Sequence, residues 1–204
     1  MSAPPKTVLA ASPGEEAAIR AAVRGAEVSG LGRVLAAPEH AEALAELLSD
    51  PAVSDPIYDL PRPFTRENVE AWIAACEAGR VAGECLLMVT FDEAGVLSGY
   101  SKVTVWPDRS SAEVGGAVRA DRQSSGQGSS GAGRLFGWVF ETLGVRLMGL
   151  TAATDNIRSA RLIDAAGFTR KGERDSIRPD GSVRRSLYWE MAREDWERRH
   201  LSGG

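Results

Sequence analysis

A chain of 204 residues, 43% of them hydrophobic, can bury one proper core and is neither a fibre nor a disordered tail. Its net charge of -4 leaves no overall basic face for phosphate backbones, which excludes a general nucleic-acid binder. The sequence shows no signal peptide and no apolar run approaching the ~18 residues of a membrane span, so no membrane partner is expected. Cys76 and Cys85 are the only cysteines and lack the spacing of metal ligands, and His40 and His200 stand far in sequence from any nucleophile. A reducing, cytoplasmic location follows, with neither a metal nor a nucleophilic triad.

Residues 1–30 are rich in Ala, Gly and Pro and read as an N-terminal extension. Within it, Pro13 to Arg24 suits a helix, with Ser12 as cap and Glu15 and Glu16 in the first turn. GRVLAAP (32–38) reads as a short strand, and PEHAEALAELLSD (38–50) as an amphipathic helix with Ala41, Leu44, Leu47 and Leu48 on one face. After the proline-rich crossing 50–64, Thr65 caps a second helix carrying Val69, Trp72, Ile73 and Cys76. The pattern then changes to period two: CLLMVTFD (85–92), VLSGYSKVTVW (96–106) and AEVGGAVRA (112–120), joined by short turns, predict an antiparallel meander. Further on, Leu135, Phe136, Val139, Phe140 and Leu143 recur at helical spacing up to a stop at Gly144, and RLMGLTA (146–152) is a buried strand. NIRSARLIDAAG (156–167) is a helix capped by Asn156, and residues 168–191 form a hairpin closed by Pro179-Asp180-Gly181. The sum is an α/β domain, a mixed and mostly antiparallel central sheet with helices on both faces.

The segment DRQSSGQGSSGAG (121–133) admits three readings. It can be a plain surface loop. Its Gly126-x-Gly128-x-x-Gly131 also matches the dinucleotide-binding fingerprint, with Asp155 24 residues beyond Gly131. Against that, RADRQSS separates these glycines from the strand VGGAV, and the strands before it form a meander rather than a βαβ unit. In the third reading, the turn's backbone amides and the N-terminus of a helix starting at Ser129 cradle a pyrophosphate without any lysine.

Gln123-x-x-Gly126-x-Gly128 resembles the acetyl-coenzyme A pyrophosphate loop, Arg/Gln-x-x-Gly-x-Gly/Ala, of the GNAT acetyltransferases. TDNIRSARLIDAAGF (154–168) is similar to the Asn-x-x-Ser-x-x-Leu-x-x-x-x-Gly-Phe signature of the branch that acetylates ribosomal-protein N-termini. The resemblance implies a GNAT domain over residues 31–197 with a C-terminal tail at 198–204. It further implies acetyl-CoA as cosubstrate, an amine acceptor, and a monomer or homodimer. This chain departs from the pattern in having Ser124, Ser125 and Gln127 where basic residues are usual, so Gln123 to Ser129 would hold the pyrophosphate mainly through backbone amides. Gly131, Gly133 and Gly137 also weaken the following helix, each by about 1 kcal/mol relative to Ala.

The reaction so implied is direct attack of a neutral amine on the acetyl thioester, which needs a base, an oxyanion donor and a proton for the departing thiolate. On the resemblance, Glu113 is the base, directly or through a water, and Ser159 meets the thiolate. The tyrosine that many relatives place four residues before the Gly of Gly-Phe is Ile163 here. Asn156 contacts the pantetheine arm, and backbone groups of Ala117, Val118 and Arg119 pair with its amides as an added strand would. Tyr58, Trp72, Tyr100 and Trp106 are candidate walls of an acceptor pocket. Two alternatives stay open: a dinucleotide-binding oxidoreductase-like domain, and a CoA-binding GNAT module without turnover.

Overall fold

The computed structural model describes residues 4–122 and 127–201, with the side chains of 127–130 and 200–201 outside that description. Helix α1 (Pro13–Arg24) starts as its sequence predicts, the Ser12 side chain accepting from the Glu15 N–H. After the two-residue strand β1 (Val34–Leu35) comes α2 (Ala41–Ser49), which buries Ala41, Leu44, Leu47 and Leu48. The proline-rich crossing contains one short helix, α3 (Pro51–Ser54), before Thr65 caps α4 (Arg66–Ala82) by accepting from Asn68 N. The meander follows as β2 (Cys85–Phe91), β3 (Leu97–Trp106) and β4 (Ser111–Val118). Helix α5 (Gln127–Thr142) begins two residues earlier than Ser129, and β5 (Leu147–Ala153) and α6 (Ile157–Ala165) come next. The hairpin is β6 (Thr169–Ile177) with β7 (Val183–Ala192), and the last helix, α7 (Arg193–Leu201), takes in the first residues of the segment read as tail.

The seven strands form one sheet in the order β1-β2-β3-β4-β5-β7-β6, antiparallel except where β4 meets β5. Alternation along β2 divides the core into two layers. Leu86 and Met88 join Ile19 and Val23 of α1, Phe136 and Phe140 of α5, Ile163 of α6 and Trp196 of α7. Cys85, Leu87 and Val89 join Leu44, Leu48, Val69 and Ile73 on the other side, where both cysteines are free and buried. Helices therefore cover both faces.

One of the unexpected glycines in α5 has a packing reason. A Cβ on Gly137 would stand 3.3 Å from the Trp196 ring, so the glycine lets α7 dock closely. Gly133 has nothing within 4 Å of that position, and packing does not explain it.

Candidate active site

Strands β4 and β5 run side by side only from Ser111 to Glu113 and from Leu147 to Gly149, then part. Glu113 is thus the last paired residue at the point where the sheet splits. A cavity of about 880 Å³ opens there, and Glu113, Tyr58, Thr151, Asn156, Ser159 and Arg184 are among the residues that line it.

The Glu113 carboxylate is 7% exposed. The Tyr58 hydroxyl donates toward both of its oxygens at 3.3 and 3.2 Å, and the Thr151 hydroxyl approaches Oε1 at 3.3 Å. Burial, with the charge of Asp59 added, pushes the Glu113 carboxyl up to about 7 against the opposing pull of Arg174, Tyr58 and Lys102. Asp59 is itself held by Lys102 at 2.8 Å. Tyr58 is fixed from above by Arg184, whose guanidinium lies 5.0 Å from the ring centroid and donates to Ser186 Oγ and to the Pro56 carbonyl. A carboxyl near 7 beside a cavity can exchange a proton at neutral pH.

Asn156 and Ser159 lie together across the cavity, the Asn156 Oδ1 accepting from Ser159 N at 3.1 Å as the cap of α6. Beyond Glu113, β4 keeps β3 on one side through Val118 while its other edge faces the cavity. Arg119 N donates to Ser98 O on the β3 side. By alternation Ala117 points the same way, whereas Gly116 and Val114 turn to the other edge. The Arg119 side chain is spent on Asp121 at 2.8 Å. Of the proposed loop, Gln123, Ser124, Ser125 and Gly126 lie outside the described residues, and Gln127, Gly128 and Ser129 form the first turn of α5.

Of the four aromatic residues read as pocket walls, Tyr58 and Tyr100 line this cavity, whereas Trp72 and Trp106 line a smaller one behind β3. Among the described residues no group of His, Cys, Asp and Glu is arranged to hold a metal, and no helix is long and apolar enough to cross a membrane.

Sequence reasoning missed Arg33. Its Nε and Nη1 are buried without a hydrogen-bond partner among the described residues, and Nη2 reaches the Gly131 carbonyl of α5 at 3.4 Å. Burial and the like charge of Arg134 depress its basicity. Unpaired buried donors next to the first turns of a helix suit an anionic group such as a phosphate. A lone arginine in GRV carries no sequence signal of this.

An acetyltransferase (GNAT) domain matches residues 33–169, more than half of the chain. The chain belongs to the GNAT family. It is an acyltransferase that uses acetyl-CoA as acetyl donor. The fold agrees with solved GNAT structures at low identity. A ribosomal-protein-S5-alanine acetyltransferase from Vibrio fischeri is 16% identical with a TM-score of 0.69, over 80% of this chain and 93% of that one. RimL, a ribosomal L7/L12 alpha-N-protein acetyltransferase in complex with coenzyme A, is 16% identical with a TM-score of 0.68, over 80% and 94%. The yncA structure from Salmonella typhimurium with acetyl-CoA is 20% identical with a TM-score of 0.61, over 78% and 92%. No curated protein matches the sequence. Family membership overturns the dinucleotide-binding reading of Gly126 to Gly131. A doubly wound sheet is mostly parallel, and this one has a single parallel contact among the described residues.

Proposed function

We propose that this GNAT enzyme acetylates a primary α-amine, at a protein N-terminus or on a small molecule, with Glu113 as the base. The observation that carries the reading is a buried carboxyl near 7, held by Tyr58 and Thr151 at the split of the sheet. An α-amine titrates near ~7.8 and yields its proton to such a base, whereas a lysine near ~10.4 is mostly charged at neutral pH. Two of the similar structures are described as acetylating ribosomal proteins, one at an alanine and one at an α-amine, which favours the same acceptor class.

Acetyl-CoA supplies an activated acyl group with a good leaving thiolate. The edge of β4 beyond Glu113 pairs with the pantetheine amides, and Asn156 steadies the arm from α6. The first turn of α5 and the loop before it, Gln123 to Ser129, receive the pyrophosphate on backbone amides, and Arg33 answers one phosphate with its unpaired N–H groups. Glu113 takes the proton that the amine sheds, and the Ser159 hydroxyl supports the thiolate as it departs. Buried free thiols at Cys76 and Cys85 fit work in the reducing cytoplasm.

The test is a CoA-release assay over α-amino peptides, polyamines and aminoglycosides, with the acetylated atom located by mass spectrometry. Acetylation at an α-amine is expected. Acetylation confined to side-chain amines overturns the reading.

A further inference from the structure

The segment before α1 lies outside the residues matched by the GNAT family, yet it is tied to the sheet at several points. At its far end Ala11 N donates to Asp108 O, and the Ala10 carbonyl accepts from Arg146 at 2.6 Å. Thr7 places its N–H on Glu190 Oε1 at 2.9 Å and its hydroxyl on Oε2 at 2.6 Å. Lys6 N donates to the Tyr188 hydroxyl at 2.9 Å, and that hydroxyl donates to Glu190. Pro5 is buried, and the Pro4 carbonyl accepts from Arg174 at 3.3 Å.

The strand register places these contacts beside the active site. Glu113 pairs with Gly149, and Gly149 with Glu190, so the three lie in one row across β4, β5 and β7, with side chains on one face. Two buried carboxylates, Glu113 at 7% and Glu190 at 4% exposure, are therefore separated by a single position without a side chain. Pro5 fills that gap: a Cβ on Gly149 would stand 3.3 Å from the Pro5 ring and 3.2 Å from the Tyr188 hydroxyl. On this face α2 and α4 pack over the β2–β3 side. The arm Pro4–Thr7 covers the β5–β7 side.

We propose that the arm Pro4–Thr7 is part of the acceptor side of the active site. It seals the β5–β7 flank of Glu113, so that an amine meets the carboxylate only through the cavity between Tyr58, Thr151 and Arg184. Pro5 and Thr7 are thus positioning residues, acting through Gly149 and the Tyr188–Glu190 pair. The inference rests on Glu113 as the base.

Charged and titratable groups around Glu113 come from every neighbouring element: Tyr58 and Asp59 from the crossing, Lys102 from β3, Arg174 from β6, and Arg184, Tyr188 and Glu190 from β7. None of these is removed when Pro5 is replaced. Loss of the ring instead admits water to the flank, relieves the burial of Glu113 and lowers its midpoint.

The test compares Pro5→Gly, Thr7→Val and a chain lacking residues 1–8 with the unaltered enzyme. The measurements are acetyl-CoA affinity, the kcat/KM ranking of α-amine acceptors, and the titration midpoint of the Glu113 carboxyl by NMR of ¹³C-labelled glutamate. The expected result is acetyl-CoA affinity within about twofold of the unaltered enzyme, with kcat/KM for the acceptor about tenfold lower and the ranking changed. The Glu113 midpoint should fall by about one unit. If the shortened chain does not fold, Pro5→Gly and Thr7→Val decide the matter. Folded variants with an unchanged acceptor ranking and an unchanged Glu113 midpoint overturn the proposal. A midpoint that falls in an enzyme indifferent to Glu113→Gln upholds the sealing of the flank and instead rejects Glu113 as the base.

Discussion

Tyr58 and Glu113, 55 residues apart, meet inside the cavity with the phenol 3.2 Å from Glu113 Oε2. The bond favours the charged carboxylate and partly offsets its burial. In Tyr58→Phe the Glu113 midpoint should therefore rise above about 7, so that a higher pH is needed to reach the same fraction of active base. Stability should fall by about 1 kcal/mol. A pH–rate profile and a urea melt check the two effects separately.

Glu113 also weighs on stability, with a sign opposite to that of a paired surface carboxylate. Its folded value, about 7, lies above the ordinary 4.5. Its favourable contribution is thus complete below the ordinary value and disappears as pH rises through about 7. Glu113→Gln should match the unaltered enzyme at about pH 3.5 and exceed it by up to about 3 kcal/mol at about pH 9. Denaturant melts at the two pH values check this.

Arg33 makes a separable prediction because its buried Nε and Nη1 have no hydrogen-bond partner among the described residues. Arg33→Met should leave the free protein as stable or more stable by about 1 kcal/mol. The same change should weaken acetyl-CoA binding about tenfold, the equivalent of one charge-assisted contact. Calorimetric titration with acetyl-CoA and thermal melts without it read the two halves independently.

Glu190 gives the arm an acid-sensitive anchor. Burial works to raise its carboxyl, but the bonds from Thr7 and Tyr188 win and hold it below the ordinary range. Stability from this group is present above the unfolded value and is lost as pH falls through the lower folded one. Thr7→Val should cost about 1–2 kcal/mol at neutral pH, with the difference shrinking in acid.

Local features were legible in the sequence because they depend on neighbours in the chain. Ser12, Thr65 and Asn156 each accept the backbone bond that a cap supplies, and the period-two runs at 85–92, 96–106 and 112–120 became adjacent antiparallel strands. Glu113 stood out only through a family resemblance, Tyr58 only as a candidate pocket wall, and Thr151 did not stand out at all. Tyr58 and Thr151 reach it across 55 and 38 residues, and Thr7 reaches Glu190 across 183, so no spacing encodes these contacts. The backbone direction at Ala117, Val118 and Arg119 likewise depends on the register with β3, which fixes Arg119 N on Ser98 O. The arm was visible as an extension with an unassigned role. What gives it one is Gly149, whose missing side chain makes room for Pro5.

The measurement closest to the central claim is the rate of acetyl-CoA-dependent acetylation of an α-amino peptide against pH, for the unaltered enzyme and for Glu113→Gln. With Glu113 as the base, kcat/KM rises with a midpoint near the about 7 of its carboxyl. In Glu113→Gln the remaining limb is that of the acceptor amine at ~7.8, and turnover falls about 100-fold or more while acetyl-CoA affinity is kept. A variant that retains full turnover and the same pH limb contradicts the account.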